Sequence, residues 1–101
     1  MTRKEIEKEM GALEKEIALK LKNMRVEVGF TSPQQVSREI GAGDDTIYKI
    51  ETCQSVPSKR IIYNLINVYR MNKVEIDELL LLRMKILNLR KKLKEQVNEY
   101  Q

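Results

Sequence analysis

Between Ser32 and Thr52 the chain carries Gln34, Gln35, Asp45, Thr46, Tyr48 and Lys49, side chains that donate and accept hydrogen bonds in a short space. Their chemistry is recognition: amides, hydroxyls and an ammonium of this kind meet base edges and phosphate oxygens. Asp45 could accept from cytosine N4, and Thr46, Tyr48 and Lys49 are the expected principal contacts. Catalysis has no comparable foothold. The chain has no histidine, so the usual general base is missing, and its one cysteine, Cys53, allows neither an internal disulfide nor a thiolate metal cluster. There is no phosphate-binding loop and no nucleophile–base pair. The expectation is a protein that is not an enzyme, with no catalytic residue, no metal and no cofactor.

Two short helices must position those side chains. Ser32 has the spacing of a capping box with Gln35, with Pro33 at the first helical position, and Val36 and Ile40 give the helix an apolar face. Gly41-Ala42-Gly43 permits a sharp turn, and Gly43 or Asp44 can cap a second helix. Ile47 and Ile50 fix that helix's buried face, which leaves Asp44, Asp45, Thr46, Tyr48 and Lys49 outward. A helix presented in this way is what a DNA major groove admits. Gln34 and Gln35 open the first of the two helices, whose amide dipole can face phosphate, with one of the pair serving only as a cap.

The remaining segments read as helical support. Ile6, Met10, Leu13, Ile17, Leu21, Met24 and Val28 recur at helical spacing, predicting a helix from about residue 3 to Val28 with a Thr2–Glu5 capping box. Gly11 is its weak point, where a bend or break could fall, and Gly29 is placed to end it. A helix is predicted over residues 58 to 71, capped by Ser58 and terminated by a left-handed Asn72. A last helix covers residues 75 to about 98. Its heptad seam, Leu79, Leu82, Ile86, Leu89, Leu93, Gln96 and Tyr100, reads as a coiled-coil strip, and Leu82, Ile86, Leu89 and Leu93 are expected to join two chains. The alternative partner is the acid-rich stretch of residues 1 to 16, complementary to the bases between Arg83 and Lys94.

At 101 residues the chain holds one domain, here residues 1–101, and its 42% hydrophobic and 34% charged composition suits a helix-rich, water-exposed protein. Net charge is +4, a mild basic bias. No apolar run approaches the roughly 18–20 residues that span a bilayer, and the charged start is unlike a signal peptide. A cytoplasmic protein without a membrane partner or an evident small-molecule ligand is expected.

From about Ile17 to Leu80 the chain resembles the Cro/repressor-type helix-turn-helix family, also called the xenobiotic-response-element type. The resemblance rests on Leu21-x-x-Met24-Arg25, the Gln-rich start of the second helix, Val36-x-x-x-Ile40-Gly41, Thr46-Ile47-x-x-Ile50-Glu51, Pro57-Ser58 and Ile76-Asp77-Glu78-Leu79-Leu80. It implies an all-α, lambda-repressor-like five-helix DNA-binding domain, with a core of about 15–80, an N-terminal helical extension over 1–14 and an extended C-terminal helix over 75–98. It implies a structural ion pair between Arg25 and Glu51. It also implies a sequence-specific transcriptional regulator, a repressor acting as a homodimer on a near-palindromic operator of double-stranded DNA. The chain departs from the family pattern at three places: Ser37 stands for a usual alanine, Cys53 for a helix-ending glycine, and Asp44-Asp45 for the more usual polar or basic start of the recognition helix. Over residues 30 to 60, Arg38, Lys49, Lys59 and Arg60 balance Glu39, Asp44, Asp45 and Glu51. The rival readings are a protein-interaction module that has lost DNA reading, such as an antirepressor, and a DNA-processing accessory protein of a mobile element.

Overall fold

The computed structural model describes the backbone of residues 1–99 and the side chains of residues 1–96. It is all-α: α1 (Arg3–Glu27), α2 (Pro33–Glu39), α3 (Thr46–Glu51), α4 (Lys59–Val68) and α5 (Lys73–Glu99). Each helix start but one is fixed by its own cap. Thr2 with Glu5 and Ser32 with Gln35 form complete capping boxes, and the Ser58 side chain accepts from Ile61 N–H. Asn72 does not end α4 as the sequence suggested. It opens α5, accepting from Glu75 N–H at 2.8 Å while the Glu75 carboxylate accepts from Asn72 N–H at 3.0 Å.

The helix ends share one device. In α1 to α4 the chain turns through a left-handed residue, and the two amides that follow the last turn bond back into it. Gly29 and Gly41 serve for α1 and α2. Cys53 (φ 63°) and Arg70 (φ 52°) occupy the same position after α3 and α4. Gln54 N–H donates to Lys49 O at 2.8 Å, and Met71 N–H to Ile66 O at 2.9 Å. An L side chain in this region costs about 1–2 kcal/mol, so two of the four turns are held against a local preference. α4 accordingly ends at Val68, three residues earlier than expected.

Gly11 does not interrupt α1, which runs unbroken for 25 residues. Ile17, Leu21 and Met24 of α1 enter a core with Val36, Ile47, Ile50, Ile62, Leu65, Leu79, Leu82 and Ile86. α1 and α5 lie antiparallel: Lys20 Nζ reaches Glu78 Oε2 at 3.2 Å, and Gln96 Nε2 donates to Met1 O at 2.7 Å. This pairing corrects the expected dimer seam. Leu82, Ile86 and Leu89 are buried inside the single chain, and Leu93 is half-buried. The physical reason is that α1 has an apolar stripe of the same spacing, with Ile6 only 1% exposed, and the intervening helices return α5 alongside it. An intrachain partner is met without the loss of translational freedom that a second chain would incur. Tyr100, also assigned to the seam, lies outside the described residues. Charge complementarity contributes little to this pairing, since the only α1–α5 ion pair among the described residues is Lys20–Glu78. Arg83, from the basic run, is engaged internally and donates to the carbonyl of Pro57 at 3.1 Å.

Candidate nucleic-acid interface

α3 is only six residues long, and its position depends on what lies beneath it. Ile47 and Ile50 are 1% and 3% exposed and anchor it in the core. Its N-terminus has no side-chain cap of its own: Asp45 occupies the cap position, but its side chain accepts from no backbone N–H of the first turn, so neither Gly43 nor Asp44 takes the role expected of them. The cap comes from α2. The Ser37 hydroxyl, fully buried, accepts from Ile47 N–H at 3.1 Å. Serine at this helix–helix contact therefore supplies an acceptor that alanine could not, satisfying one of the orphan donors of a short helix.

The other end of α3 is locked to α1. Arg25 Nε donates to Glu51 Oε2 at 2.8 Å and Nη2 to Oε1 at 3.0 Å, a bidentate pair, while Nη1 donates to Phe30 O at 2.8 Å. The two side chains are 7% and 5% exposed. The bond to Glu51 holds the Arg25 pKa above its ordinary value, against the opposing effect of burial. Tyr69 lies in the same electrostatic environment. Its hydroxyl is buried with no hydrogen-bond partner among the described residues, and burial, then the Glu51 charge, pushes its pKa upward.

The outward face carries Asp44, Asp45, Tyr48 and Lys49, all exposed, with Thr46 half-buried. Tyr48 is the large aromatic side chain of this face, at 52% exposure. Both carboxylates at the helix start are matched by a base. Asp44 accepts from Arg38 Nε at 3.3 Å and from Gln34 Nε2 at 3.3 Å. The Arg38 hydrogen bond and charge hold the Asp44 carboxyl below its usual range, with Gln34 adding to the effect. Asp45 Oδ2 lies 3.1 Å from Lys49 Nζ, one helical turn on. The surface is thus locally neutral, built of exposed ion pairs that are individually weak and exchange readily for other partners.

The six side chains expected to contact DNA are not equivalent in this arrangement. Gln35 has committed its carboxamide oxygen to the cap of α2, accepting from Thr31 and Ser32 N–H, so it positions the chain and retains only its NH₂ for a ligand. Gln34 is drawn toward α3 by Asp44. Arg38, which enters the sequence pattern only as a charge, joins the surface through the same carboxylate. Thr52 and Gln54 extend it past the end of α3: Thr52 Oγ1 donates to Tyr48 O at 2.8 Å, and Gln54 Nε2 donates to Thr52 Oγ1 at 2.8 Å. The signal for Arg38 was its place one turn before the glycine turn, on the α2 face opposite Val36 and Ile40.

Among the described residues no group of acidic, cysteine or histidine side chains is arranged to hold a metal ion, and no helix is long and apolar enough to cross a membrane. The chain matches no protein-family model, no curated protein and no solved structure.

Proposed function

We propose that the chain is a helix-turn-helix DNA-binding regulator of Cro/repressor type, with a lambda-repressor-like core, in which α3 enters the major groove. The observation that supports this reading is the mounting of α3. Its inner face is buried, both of its ends are held by other helices, and its outer face is polar and exposed. A helix this short gains little stability from its own propensity, so its rigid placement fits a demand for presentation. Thr46, Tyr48 and Lys49 are the base-edge candidates, with Gln34 and Arg38 of α2 toward phosphate. On binding, Lys49 and Arg38 exchange carboxylates for phosphate or base acceptors, and Asp45 is released to accept from cytosine N4. As a homodimeric repressor it would place two copies of α3 about 34–36 Å apart on a near-palindromic operator.

The test is selection of random duplex DNA by the purified protein, followed by fluorescence anisotropy of the selected site at several salt concentrations. An enriched site weakened by Lys49→Ala and Tyr48→Ala supports the reading. Asp45→Asn releases Lys49 from its internal partner, and its salt slope is expected to steepen by about one unit. Absence of an enriched site would overturn the proposal. The self-neutralised face favours one other reading, a helix-turn-helix protein-interaction module, because paired carboxylates and bases suit a mixed-charge protein surface better than a polyanion.

A further inference from the structure

The outward face of α1 carries charge of one sign. At about 100° per residue, Lys4, Lys8, Lys15 and Lys22 fall within about 40° of one another, on the side opposite the buried Ile6, Ile17 and Met24. All four are exposed. The glutamates of the helix stand to either side of this row, Glu5, Glu9, Glu16 and Glu27 on one flank and Glu7 and Glu14 on the other. None of the four lysines is in an ion pair among the described residues. The cause is local. Lys15 and Lys22 have no acid three or four residues away in either direction, where Gly11, Ala12, Ala18, Leu19, Arg25 and Val26 stand instead. Lys4 and Lys8 each have one, but Glu7 is held by Arg3 at 3.1 Å and Glu5 accepts from the Thr2 hydroxyl at 3.0 Å. From Lys4 to Lys22 the row runs for about 27 Å along the helix axis.

A row of ammonium groups without counter-charges selects a polyanion, and its surroundings select among polyanions. Lysine is depleted from the cores of protein–protein interfaces, where aromatic and other large anchors collect, and here the centre of the row is Gly11 and Ala12. A Cβ on Gly11 would meet nothing within 4 Å, so internal packing does not call for glycine there, and the bare backbone is open to close approach between Lys8 and Lys15. A helix that lies on a lipid surface needs a free apolar face. The apolar stripe of α1 is instead buried in the core, and only Leu19 and Val26 are exposed beside Lys15 and Lys22. Duplex phosphates need no apolar neighbour, only point charges on long stems. The distribution of charge agrees. Residues 30 to 60 carry four charges of each sign, and Arg38 and Lys49 are paired with Asp44 and Asp45, so the surface around α3 offers little of the phosphate neutralisation that supplies non-specific affinity. The cations of α5 from Lys85 to Lys94 are spread around that helix and form no such line.

We propose that the outward face of α1 is a second nucleic-acid surface, on which Lys4, Lys8, Lys15 and Lys22 bind the phosphates of duplex DNA without reading sequence. Lys22 lies three residues before Arg25, which anchors α3 through Glu51, so the row begins beside the mounted helix and extends from it toward the N-terminus. Affinity then comes mainly from α1, and sequence preference from α3. The proposal takes its occupant from the reading of the chain as a DNA-binding protein, but it does not need α3 to be the reader.

The experiment is fluorescence anisotropy of the full chain with a labelled duplex of arbitrary sequence, from about 50 to 200 mM salt. Lys15→Gln/Lys22→Gln is compared with the wild type and with Lys91→Gln/Lys94→Gln, which removes the same charge from α5. Glutamine has nearly the helix propensity of lysine, so the circular dichroism spectra are expected to coincide. Losing two phosphate contacts is expected to make the slope of log affinity against log salt shallower by about 1.8, a roughly twelvefold difference over that range. Lys15→Arg/Lys22→Arg is expected to keep the wild-type slope, and so is the α5 variant, which assigns the effect to the row and not to net charge. A chain that binds arbitrary duplex through the row but enriches no site in the selection experiment supports this proposal and overturns α3 as reader. A chain that enriches a site weakened by Lys49→Ala, yet is indifferent to the α1 changes, overturns this proposal alone. Equal effects of the α1 and α5 variants also overturn it, as does a row that retains vesicles of phosphatidylserine and phosphatidylcholine but no duplex.

Discussion

The ion pair of Arg25 and Glu51 offers a sharp test of how α3 is held. Both side chains are almost fully buried, joined by two hydrogen bonds of 2.8 and 3.0 Å. Glu51→Ala would leave the guanidinium buried beside an empty space, with only Phe30 O as acceptor. Breaking one side of such a pair costs about 3–5 kcal/mol, a large share of the ~5–15 kcal/mol expected for a domain of this size. Arg25→Met strands the Glu51 carboxylate instead and is expected to cost a similar amount. The double variant Arg25→Met/Glu51→Ala removes both charges and leaves mainly the Phe30 carbonyl without its donor, a loss of about 1–2 kcal/mol. The double variant is thus expected to be more stable than either single one, with a coupling of at least ~3 kcal/mol. Urea unfolding followed by circular dichroism measures all four proteins, and Glu51→Gln, which keeps one acceptor, serves where Glu51→Ala is too unstable to give a baseline. Additive losses, or a Glu51→Ala cost below about 1 kcal/mol, would refute the claim that the pair is buried and mutually dependent.

Three further outcomes are expected. Cys53→Gly relieves the left-handed strain at the end of α3 and is expected to stabilise the chain by about 0.5–1 kcal/mol, read as a raised urea midpoint, whereas Cys53→Val is expected to lower it. Tyr69→Phe deletes a buried hydroxyl that has no partner among the described residues and is expected to be neutral or stabilising by up to about 1 kcal/mol; a clear loss in thermal unfolding would mean that the hydroxyl is satisfied. The Asp44 carboxyl, held below its ordinary pKa by Arg38 and Gln34, contributes to the α2–α3 contact above the ordinary carboxylate range, and the contribution is lost as pH falls through its lowered folded value. Carboxyl carbon shifts followed by NMR are expected to give Asp44 a lower midpoint than in Arg38→Gln, and equal midpoints would remove Arg38 as the cause.

Features set by near neighbours in the chain could be read directly from it. The capping boxes at Thr2 and Ser32 need only residues three apart, and the buried faces of α3 and α4 follow from their apolar spacing. Asn72 is ambiguous by type, because asparagine is favoured both after a helix and before one; Glu75, three residues on, is the signal that decides for a cap. Cys53 stands where the family resemblance puts a helix-ending glycine, which left either a strained residue or a different helix end, and it takes the strained left-handed form; Arg70 carried no such signal, because the packing of the flanking helices imposes its geometry. The leucine seam of α5 announced a helical partner without naming it. The stripe that covers it, from Ile6 to Ile17, was equally visible, but the choice between a neighbouring chain and the same chain turns on the path of α2 to α4. In the candidate interface, Asp45–Lys49 follows from a spacing of four, whereas Arg38–Asp44 and Ser37–Ile47 join two helices and required the fold.

The pairing of α1 with α5 also orders the assembly of the chain. During synthesis α1 emerges before the helices that cover it, and its stripe from Ile6 to Ile17 has no lasting cover until the far half of α5, some seventy to ninety residues later in the sequence, has left the ribosome. Helical domains rich in local contacts fold faster than those that must wait for remote ones. Nascent chains ending before Leu89 are therefore expected to be cut readily within residues 3–15 by a dilute protease, with protection appearing abruptly once Leu89 and Leu93 are free to dock.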